Sequence, residues 1–503
     1  MALARVYSRA LFGMDAPLVT VEVHLSNGLP GFTLVGLPET AVKESRERVR
    51  SAILNANLDF PQRRITINLA PAELPKTGGR FDLAMTIGIL AASGQLSKVD
   101  LERTEFLGEL ALSGEVRAVP GLLPGLLAAG RDGRLSIVPE ANAAEAALPR
   151  HSEVLLCSHL LQVLRHLRGE EELPRPPAVP LDAATPPPDL SEVIGQDGAK
   201  RALLIAAAGG HNLLLRGPPG TGKTMLASRL PGILPRLDFE QAMEVAALHS
   251  LSGKALDSQH WSHPPFRAPH HTSSAVALVG GGSTLHPGEV SLAHHGVLFL
   301  DEVAEFSPKV LEALREPLES GVIQIARARY QVNLPARFQL LATCNNCPCG
   351  NYGDAEQQCR CSPDRIRQYQ QRLSGPLLDR IDLQVWMPRL RKSERELLLG
   401  QGRRGKEQSA VLRTQVEGCR ARQLQRQGHL NARLEQGALQ EVCALREEER
   451  ELLRQAMERY HLSTRACLRI LRVARTIADL AGTERVERAQ LLEAIHYRKD
   501  EAK

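Results

Sequence analysis

The chain has 503 residues, of which 43% are hydrophobic and 24% are charged, and its formal net charge is +5. These values are ordinary for a globular protein, and the length predicts about three domains. No apolar run approaches the ~18 residues of a membrane-spanning helix, and Asp15 and Pro17 interrupt any signal-peptide core, which predicts a cytoplasmic protein.

The N-terminal region combines alternating strands with helical periodicity. Residues 20–25 and 64–69 alternate apolar and polar side chains, as half-buried strands do, and residues 39–57 have the period of a helix. The segments 74–83 and 108–129 resemble parts of the Lon-type protease domain. This resemblance implies an α+β domain of the Lon fold, also described as ribosomal protein S5 domain 2-like.

The residues of Lon chemistry are missing from that region. Arg80 occupies the position of the Lon serine, and Leu123 occupies the position of its lysine. A serine nucleophile needs a base that takes its proton, and neither partner is supplied here. We therefore expect residues 1–170 to be a non-proteolytic scaffold or interaction domain.

A proline-rich segment follows this domain. Seven prolines fall between residues 174 and 188, in a stretch without periodic structure. Such a composition predicts a semi-rigid, extended linker, which we place at 171–190. Beyond it we expect an α/β domain at 191–388 and a helical domain at 389–503.

Residues 217–224 form a complete phosphate-binding loop of the GxxxxGK[ST] pattern. An apolar run at 211–215 predicts a strand before it, and 225–230 predicts a helix after it, which is the context that the motif requires. Glycines let backbone N–H groups surround phosphates, and the helix N-terminus adds partial positive charge. The predicted nucleotide-binding residues are Gly217, Pro218, Pro219, Gly220, Thr221, Gly222, Lys223 and Thr224.

The cofactors follow from this loop and from a second strand. Lys223 is expected to reach the β- and γ-phosphates of ATP, and Thr224 to bind Mg²⁺. Residues 297–300 predict a buried strand that ends in Asp301 and Glu302, about 77 residues beyond the loop. Asp301 completes the Mg²⁺ shell, and Glu302 polarises the attacking water, so hydrolysis is predicted together with binding.

Two further polar residues follow predicted elements. The apolar strand 340–344 ends in the amide Asn345, which is suited to orienting the water or the γ-phosphate. The segment 374–382 places Arg380 on a short turn after a helix. The alternative for Arg380 is a surface ion pair.

A cysteine cluster predicts structural zinc. Cys347, Cys349, Cys359 and Cys361 form two CxC pairs that are separated by nine residues. Four thiolates at this spacing can close a tetrahedral Zn²⁺ site, whereas the alternative is a redox-active or merely buried set. The remaining cysteines are expected to be packing residues: Cys157, Cys344, Cys419, Cys443 and Cys467.

Two regions are candidates for contact with DNA. The predicted hairpin 321–334 carries Arg327 and Arg329 on one strand face beside Tyr330, which suits a phosphate backbone with a stacked base. The alternatives are a solvated hairpin or arginines that pair with a neighbouring subunit. Residues 391–435 carry eleven Lys/Arg against five Asp/Glu, which indicates either a nucleic-acid face or a solvated helix surface.

From about residue 190 onward, the chain resembles the AAA+ ATPases, specifically their magnesium-chelatase-like branch. The resemblance depends on the phosphate loop and on residues 195–196, 266–272 and 296–302. It implies that Asn345 is the first sensor and that Arg380 is the finger supplied in trans to the ATP of a neighbour. Arg465 matches the second sensor on the helical lid, with an ordinary exposed charge as the alternative.

The same resemblance assigns the regions between these motifs. It implies that the segment 266–295 and the hairpin 321–334 line the pore of a ring. His270, His271 and His286 lie in the first of these regions, but they are scattered and have no carboxylate partner motif. We therefore predict no metal site for these histidines.

The whole arrangement resembles the ComM and YifB-type family of competence proteins: a Lon-like α+β domain, a linker, an AAA+ P-loop parallel-sheet core with CxC pairs, and a C-terminal helical lid. The resemblance implies a homo-hexameric, ATP-driven DNA motor, a helicase or branch-migration enzyme, in homologous recombination during natural transformation. Its expected partner is single-stranded or branched DNA. Asn346 departs from the proline usual in the family, which leaves Asn345 and the cysteines in place.

Two other functions are compatible with the motifs. A magnesium-chelatase-type subunit would help to insert metal into a porphyrin, although such subunits generally lack the Lon-like domain. An AAA+ protein-remodelling factor would act on polypeptide. Stimulation of ATP hydrolysis by DNA or by unfolded protein distinguishes a DNA motor from a remodelling factor.

Overall fold

The computed structural model of the chain describes residues 2–37, 39–96, 99–178, 187–253, 260–282, 286–326, 331–399 and 408–498. The chain forms two compact units. The first comprises residues 1–184 together with 239–261 and 324–334, and the second comprises 185–238, 262–323 and 335–503. No helix in these described ranges combines the length and the apolar character needed to cross a bilayer.

The elements of the first 178 residues alternate between strands and helices. The strands are β1 (Ala2–Arg9), β2 (Leu18–Ser26), β3 (Gly31–Val35), β4 (Arg64–Ala70), β5 (Thr104–Phe106), β6 (Glu109–Leu110), β7 (Val116–Arg117), β8 (Leu135–Pro139) and β9 (Val154–Cys157). The helices are α1 (Thr40–Asn55), α2 (Asp82–Ala92), α3 (Leu122–Arg131), α4 (Ala143–Ala146) and α5 (Leu160–Leu167).

The elements after residue 187 include short strands and, toward the C-terminus, long helices. The strands are β10 (Leu213–Arg216), β11 (Phe266–Arg267), β12 (Gly280–Gly281), β13 (His286–Pro287), β14 (Val297–Leu300), β15 (Val322–Ala326), β16 (Gln331–Pro335), β17 (Gln339–Cys344) and β18 (Leu383–Trp386). The helices are α6 (Asp197–Gly209), α7 (Lys223–Ala227), α8 (Leu230–Ile233), α9 (Phe239–Leu251), α10 (Ala275–Val279), α11 (Glu289–Leu292), α12 (Pro308–Ala313), α13 (Arg315–Ser320), α14 (Pro363–Gln370), α15 (Gly375–Leu378), α16 (Lys392–Leu399), α17 (Gln408–Gln427), α18 (Gln436–Cys443), α19 (Glu447–Tyr460), α20 (Thr464–Ala481) and α21 (Arg488–His496).

The first unit is built on a mixed seven-stranded sheet of order β3-β4-β2-β1-β5-β8-β9. The predicted strands 20–25 and 64–69 lie inside β2 and β4, and side chains of β2 alternate in burial along its whole length. The predicted helix 39–57 is α1. These predictions are confirmed because alternation with period two places one face of each strand against the core.

Helix α9 belongs to the first unit although it follows the phosphate loop in the sequence. It contacts α3 through an apolar cluster that includes Leu123, Leu148, Met243, Ala246 and Ala247. Sequence periodicity did not predict this contact, because an apolar helix face does not identify its partner.

The second unit is built on a five-stranded parallel sheet of order β11-β14-β17-β10-β18. The predicted apolar strands become β10, β14 and β17, and β14 and β17 are buried along their whole length. Parallel sheets are covered on both faces, which explains why these strands are continuous apolar runs. The predicted parallel-sheet core is confirmed.

The C-terminal residues form the predicted helical region, which packs on the same core as the sheet. Helix α17 and helix α20 both contact α6, and the shared apolar cluster includes Leu215, Val416 and Ile470. This packing places the long helix α20 against the sheet that carries the phosphate loop.

Several basic residues of the 391–435 segment are used inside the fold. Arg413 donates to the carbonyl oxygen of Gly232, and Arg426 pairs with Asp479 at 2.7 Å. Arg420 donates to the carbonyl oxygen of Ala207, and burial lowers its pKa to about 10. These arginines stabilise packing of α17 and do not form an open basic surface.

Candidate nucleotide-binding site

The phosphate loop joins β10 to α7 as predicted. Strand β10 ends at Arg216, and α7 begins at Lys223, so the loop glycines lie at the carboxyl end of a parallel strand. Gly222 has φ +86°, which favours glycine, and a Cβ on Gly217 would lie 2.3 Å from the carbonyl oxygen of Met387. The two glycines are therefore required by backbone conformation and by close packing.

Lys223 is buried within this loop and is hydrogen-bonded to three acceptors. Its Nζ lies 2.8 Å from the carbonyl oxygens of Gly217 and Pro218 and 3.0 Å from Oδ1 of Asn345. Burial lowers the pKa of Lys223, partly offset by nearby acidic groups that include Asp301. The structure thus brings the predicted phosphate-binding cation and the predicted first sensor into direct contact.

The oxygen ligands expected for Mg²⁺ lie beside each other. Oγ1 of Thr224 donates to the carboxylate of Asp301 at 3.1 Å. Oγ1 of Thr343 also donates to that carboxylate, at 2.5 Å, and accepts from the backbone N–H of Glu302 at 2.9 Å. A hydroxyl and a carboxylate are ligands that Mg²⁺ prefers beside phosphate oxygens, so these residues fit the cation.

Thr343 was not among the predicted site residues. It lies in β17, two positions before Asn345, which follows directly after the strand, and residues two apart share one face of an extended chain. That spacing is the signal by which it could have been found. Thr343 orients both Asp301 and the backbone of Glu302.

Glu302 has the geometry expected of a reactive position. Its side chain is exposed, and its φ of +51° places a non-glycine residue in the left-handed region. Such backbone conformations cost about 1–3 kcal/mol and cluster at active sites. The chain turns away from β14 immediately after Asp301. Asp301 is therefore partly buried, whereas Glu302 is exposed.

Arg380 lies at the amino-terminal ends of the parallel strands, whereas the phosphate loop lies at their carboxyl ends. It precedes β18, which pairs in parallel with β10 so that Leu383 faces Leu213 and Trp386 faces Arg216. The five steps along the chain from Asn212 to Gly217 span ~16 Å at about 3.3 Å per residue. This separation exceeds the length of an arginine side chain.

The Arg380 guanidinium has partners within its own chain. It donates to the carbonyl oxygens of Arg315 at 3.1 Å and Pro376 at 2.8 Å, and it pairs with Glu319. The ion pair that we weighed as an alternative is therefore present. Only 14% of the Arg380 side chain is exposed, against 67% of the Glu319 side chain, so a finger role requires the guanidinium to leave these partners.

Arg465 lies in the first turn of α20, and its side chain is exposed. Arg469, one turn later, pairs with Asp382 at 3.2 Å. Asp382 is two residues from Arg380, so α20 contacts the segment of the predicted finger one helical turn after the exposed Arg465. The structure does not bring Arg465 together with the phosphate loop of its own chain in any recorded contact among the described residues.

The four predicted zinc ligands lie together. The Sγ atoms of Cys347, Cys349, Cys359 and Cys361 are all within 4.8 Å of one another, and three of the separations are 3.4, 3.6 and 3.7 Å. Zn–S bonds of about 2.3 Å in a tetrahedron require sulfur separations of about 3.8 Å. Backbone N–H groups of Asn351 and Arg360 lower the pKa of Cys349 to about 6, whereas burial raises the pKa of Cys347 to about 12. The donor set fits Zn²⁺.

The cysteine loop contacts the phosphate loop directly. A Cβ on Gly350, whose φ is +82°, would lie 2.5 Å from Cδ of Pro219. Asn346, the departure from the family pattern, is buried and donates to the carbonyl oxygen of Tyr352. The other five cysteines are buried free thiols, as predicted for packing residues.

The predicted pore segments are only partly described. Strands β15 and β16 pair as the expected hairpin, whereas Arg327, Arg329 and Tyr330 lie outside the described residues. In the other segment, His270 and His271 lie with ring centroids 4.1 Å apart.

The region equated with the Lon catalytic centre is filled by packing. Arg80 is buried, donates to the carbonyl oxygen of Pro120, and has its pKa lowered to about 10 by that burial. Leu123 contacts α9, and its backbone N–H donates to Oγ of Ser250, which in turn donates to Glu145 at 2.7 Å. The Leu123 position thus lies where α9 packs, and the Arg80 position is filled by a buried guanidinium bonded to Pro120.

A phosphate loop at the end of a parallel strand, with a hydroxyl–aspartate pair and a sensor amide beside it, defines a nucleoside-triphosphate-binding protein of the P-loop class. Family profiles refine this class. The chain matches "Magnesium chelatase, subunit ChlI" over residues 189–395, "Subunit ChlI of Mg-chelatase" over 21–142 and "Magnesium chelatase, subunit ChlI C-terminal" over 406–498.

The chain belongs to the ComM and YifB family of magnesium-chelatase-like AAA+ ATPases. It is 50% identical to competence protein ComM of Haemophilus influenzae, over 99% of this chain and 98% of that protein. It is 49% identical to YifB of Salmonella typhimurium, over 99% and 97% of the two chains. A shorter match, 27% identity covering 39% of this chain and 25% of the relative, is to DNA replication licensing factor mcm7 of Xenopus tropicalis. Membership of this family suggests ATP hydrolysis.

Proposed function

We propose that this chain is an ATP-driven DNA motor that works as a homo-hexameric ring and promotes branch migration in homologous recombination during natural transformation. The observation that carries the proposal is the position of Arg380, which lies at the end of the strands opposite to its own phosphate loop. An arginine needed for hydrolysis at that position has to serve the ATP of another subunit. Exposed Arg465, one helical turn before the Arg469 that pairs with Asp382, supports a shared site between subunits.

The choice of DNA as substrate is supported by two observations. The hairpin 321–334 carries Arg327 and Arg329 in a sequence without a nearby carboxylate, which suits a phosphate backbone. The relatives include a protein named for competence and a protein named for DNA replication licensing. We place the substrate contact in this hairpin and not in α17, whose arginines are used in packing.

The N-terminal unit is proposed to be a non-proteolytic scaffold of the Lon type. Arg80 stands where that protease family has its nucleophile, and α9 covers Leu123, which stands where that family has its lysine. A substrate peptide would have to displace this helix before it could reach Leu123.

DNA is expected to stimulate ATP hydrolysis severalfold, whereas an unfolded protein is expected to leave the rate unchanged. The measurement is the steady-state ATPase rate with single-stranded DNA, branched DNA or a permanently unfolded polypeptide. Replacing Arg327 and Arg329 by alanine should remove most of the stimulation and reduce the salt dependence of DNA binding. The DNA-independent rate of that variant serves as the control for folding. Stimulation by the polypeptide alone would favour a protein-remodelling factor.

We further propose that each chain binds one Zn²⁺ through Cys347, Cys349, Cys359 and Cys361. Metal analysis of protein purified without chelator should give about one equivalent of zinc, and Cys359→Ser should lose it. Because the loop contacts Pro219, loss of the metal should also weaken ATP binding. The matched control is Cys157→Ala, which removes a buried thiol elsewhere and should retain the metal. Less than half an equivalent in the unmodified protein would contradict the proposal.

A further inference from the structure

The turn that carries Arg380 is held from two directions. Asn212, at the start of β10, donates from its side chain to the carbonyl oxygen of Arg380 at 2.8 Å. Arg498, after α21, donates to the carbonyl oxygen of Ile381 at 2.6 Å. The sheet and the helical lid therefore both fix the backbone of this turn.

Asp382 is the residue of this turn that contacts both the sheet and the helical lid. Its carboxylate accepts from the backbone N–H of Asn212 at 3.0 Å and pairs with Arg469 of α20 at 3.2 Å. Its side chain is only 7% exposed. A buried carboxylate requires such partners, so the pairing is a strong geometric constraint on the turn.

His211 adds a second connection between the same elements. Its Nδ1 lies 3.5 Å from Oδ2 of Asp382, and its Nε2 lies 2.7 Å from Oγ1 of Thr476 on α20. His211 is fully buried. Asp382 is thereby paired directly with α20 through Arg469, and it lies 3.5 Å from an imidazole that is hydrogen-bonded to the same helix.

The two contacts on α20 share a helix face with the exposed Arg465. Arg469 follows Arg465 by four residues, and Thr476 follows Arg469 by seven, which are spacings that bring side chains to one face. The face of α20 that contacts Asp382 thus also carries Arg465. A displacement of the turn relative to α20 would separate Arg380 from Arg465.

We propose that Asp382 is a positioning residue, which fixes the turn bearing Arg380 to helix α20 so that Arg380 and Arg465 are presented together to the ATP of a neighbouring subunit. This rests on the proposed ring with shared sites. Asp382 itself touches neither nucleotide nor water in this role. Its contribution is to maintain the relative position of two cationic groups on the surface.

Asp382→Asn keeps the size of the side chain and an oxygen acceptor for Asn212, but it removes the charge that faces Arg469. We expect assembly and ATP affinity to be retained, kcat to fall about 10- to 100-fold, and KM to change less than about twofold. Adding Arg469→Gln to this variant should lower kcat little further, because both changes break one contact. Thr476→Val, which removes only the hydroxyl that contacts His211, should give a smaller loss of the same kind.

Mixed rings distinguish a positioning role from general destabilisation. Asp382→Asn subunits retain an intact phosphate loop, so mixing them with Lys223→Ala subunits, which retain an intact finger, should restore activity. Mixing them with Arg380→Ala subunits should not, since neither subunit then supplies a correctly placed finger. The matched control is Glu493→Gln, which breaks the Arg201–Glu493 pair between α6 and α21 without touching the turn, and whose kcat should stay within about twofold.

The outcomes separate this proposal from the proposed function. If Arg380→Ala and Lys223→Ala subunits fail to complement each other, the shared site is wrong and this proposal falls with it. If that reference pair complements, the proposal alone is overturned by an unchanged kcat in assembled Asp382→Asn, or by rescue with Arg380→Ala subunits. If Asp382→Asn fails to assemble, the same mixing experiments are done with Arg469→Gln and Thr476→Val. Restoration of activity by Lys223→Ala subunits then supports the proposal, and no restoration overturns it.

Discussion

Glu302→Gln is expected to lower the rate of ATP hydrolysis by a factor of about 10² or more while ATP binding and ring assembly are retained. The amide keeps the shape of the side chain but cannot take a proton from water. The hydrogen bonds of the nucleotide-binding groups are kept, because Lys223 is bonded to Asn345 and Thr224 is bonded to Asp301. The measurement pairs steady-state turnover with equilibrium binding of ATP.

The matched control for this change is Glu305→Gln. Glu305 is an exposed carboxylate three residues further on that pairs with Arg372, so its loss alters local charge in the same way. Turnover of Glu305→Gln should stay within about twofold of the unmodified protein. Full turnover by Glu302→Gln would show that another group activates the water, and loss of ATP binding would show that the substitution disturbed the loop.

Arg380→Ala should reduce hydrolysis by about 10³-fold or more, with ATP binding retained, because a planar guanidinium stabilises charge that develops on the transferred phosphoryl group. Activity should partly return when this variant is mixed with Lys223→Ala subunits. In such a ring, an intact phosphate loop on one subunit can meet an intact finger on the next. The measurement is ATPase rate against mixing ratio, together with particle mass to establish assembly.

Glu319→Ala tests the alternative that Arg380 is only a partner in a surface ion pair. If the ion pair with Glu319 were the whole role of Arg380, removing either partner would have the same effect. The Glu319 side chain is exposed, so losing this pair alone should cost about 0–1 kcal/mol, and the stability of Glu319→Ala should change little. We expect Glu319→Ala to hydrolyse ATP at a rate within a fewfold of normal. Equal and severe losses in both variants, or no complementation by assembled mixtures, would contradict the shared site.

The sequence predicted which residues of the nucleotide site lie together, because their positions depend on local order. A strand, a glycine loop and a helix in succession determine where Lys223 and Thr224 lie, and parallel pairing brings Asp301 to the same sheet edge. The cysteine cluster was equally local, since its four thiols fall within one loop. Thr343 was missed because a threonine in an apolar strand has no distinctive pattern of its own.

The remaining features depend on contacts between residues that are distant in sequence. Asp382 and Arg469 are 87 residues apart, and nothing in either segment identifies the other. The arginines of α17 show the same limit, because a basic helix that binds nucleic acid and one that caps backbone carbonyl groups have the same composition. The packing of α9 against α3 likewise depends on complementary apolar faces. Sequence periodicity detects each face but does not identify which faces contact each other.

The packing of α9 against α3 also determines where the chain can be cut to produce a stable fragment. Expressing residues 187–503 alone would remove α3 and leave Met243, Ala246 and Ala247 of α9 facing water. Exposed apolar patches of that kind promote aggregation, so the proline-rich linker, which is the obvious place to cut, is a poor boundary for isolating the ATPase. A fragment intended to remain dispersed would need polar replacements on that helix face, or the N-terminal region supplied as a separate polypeptide.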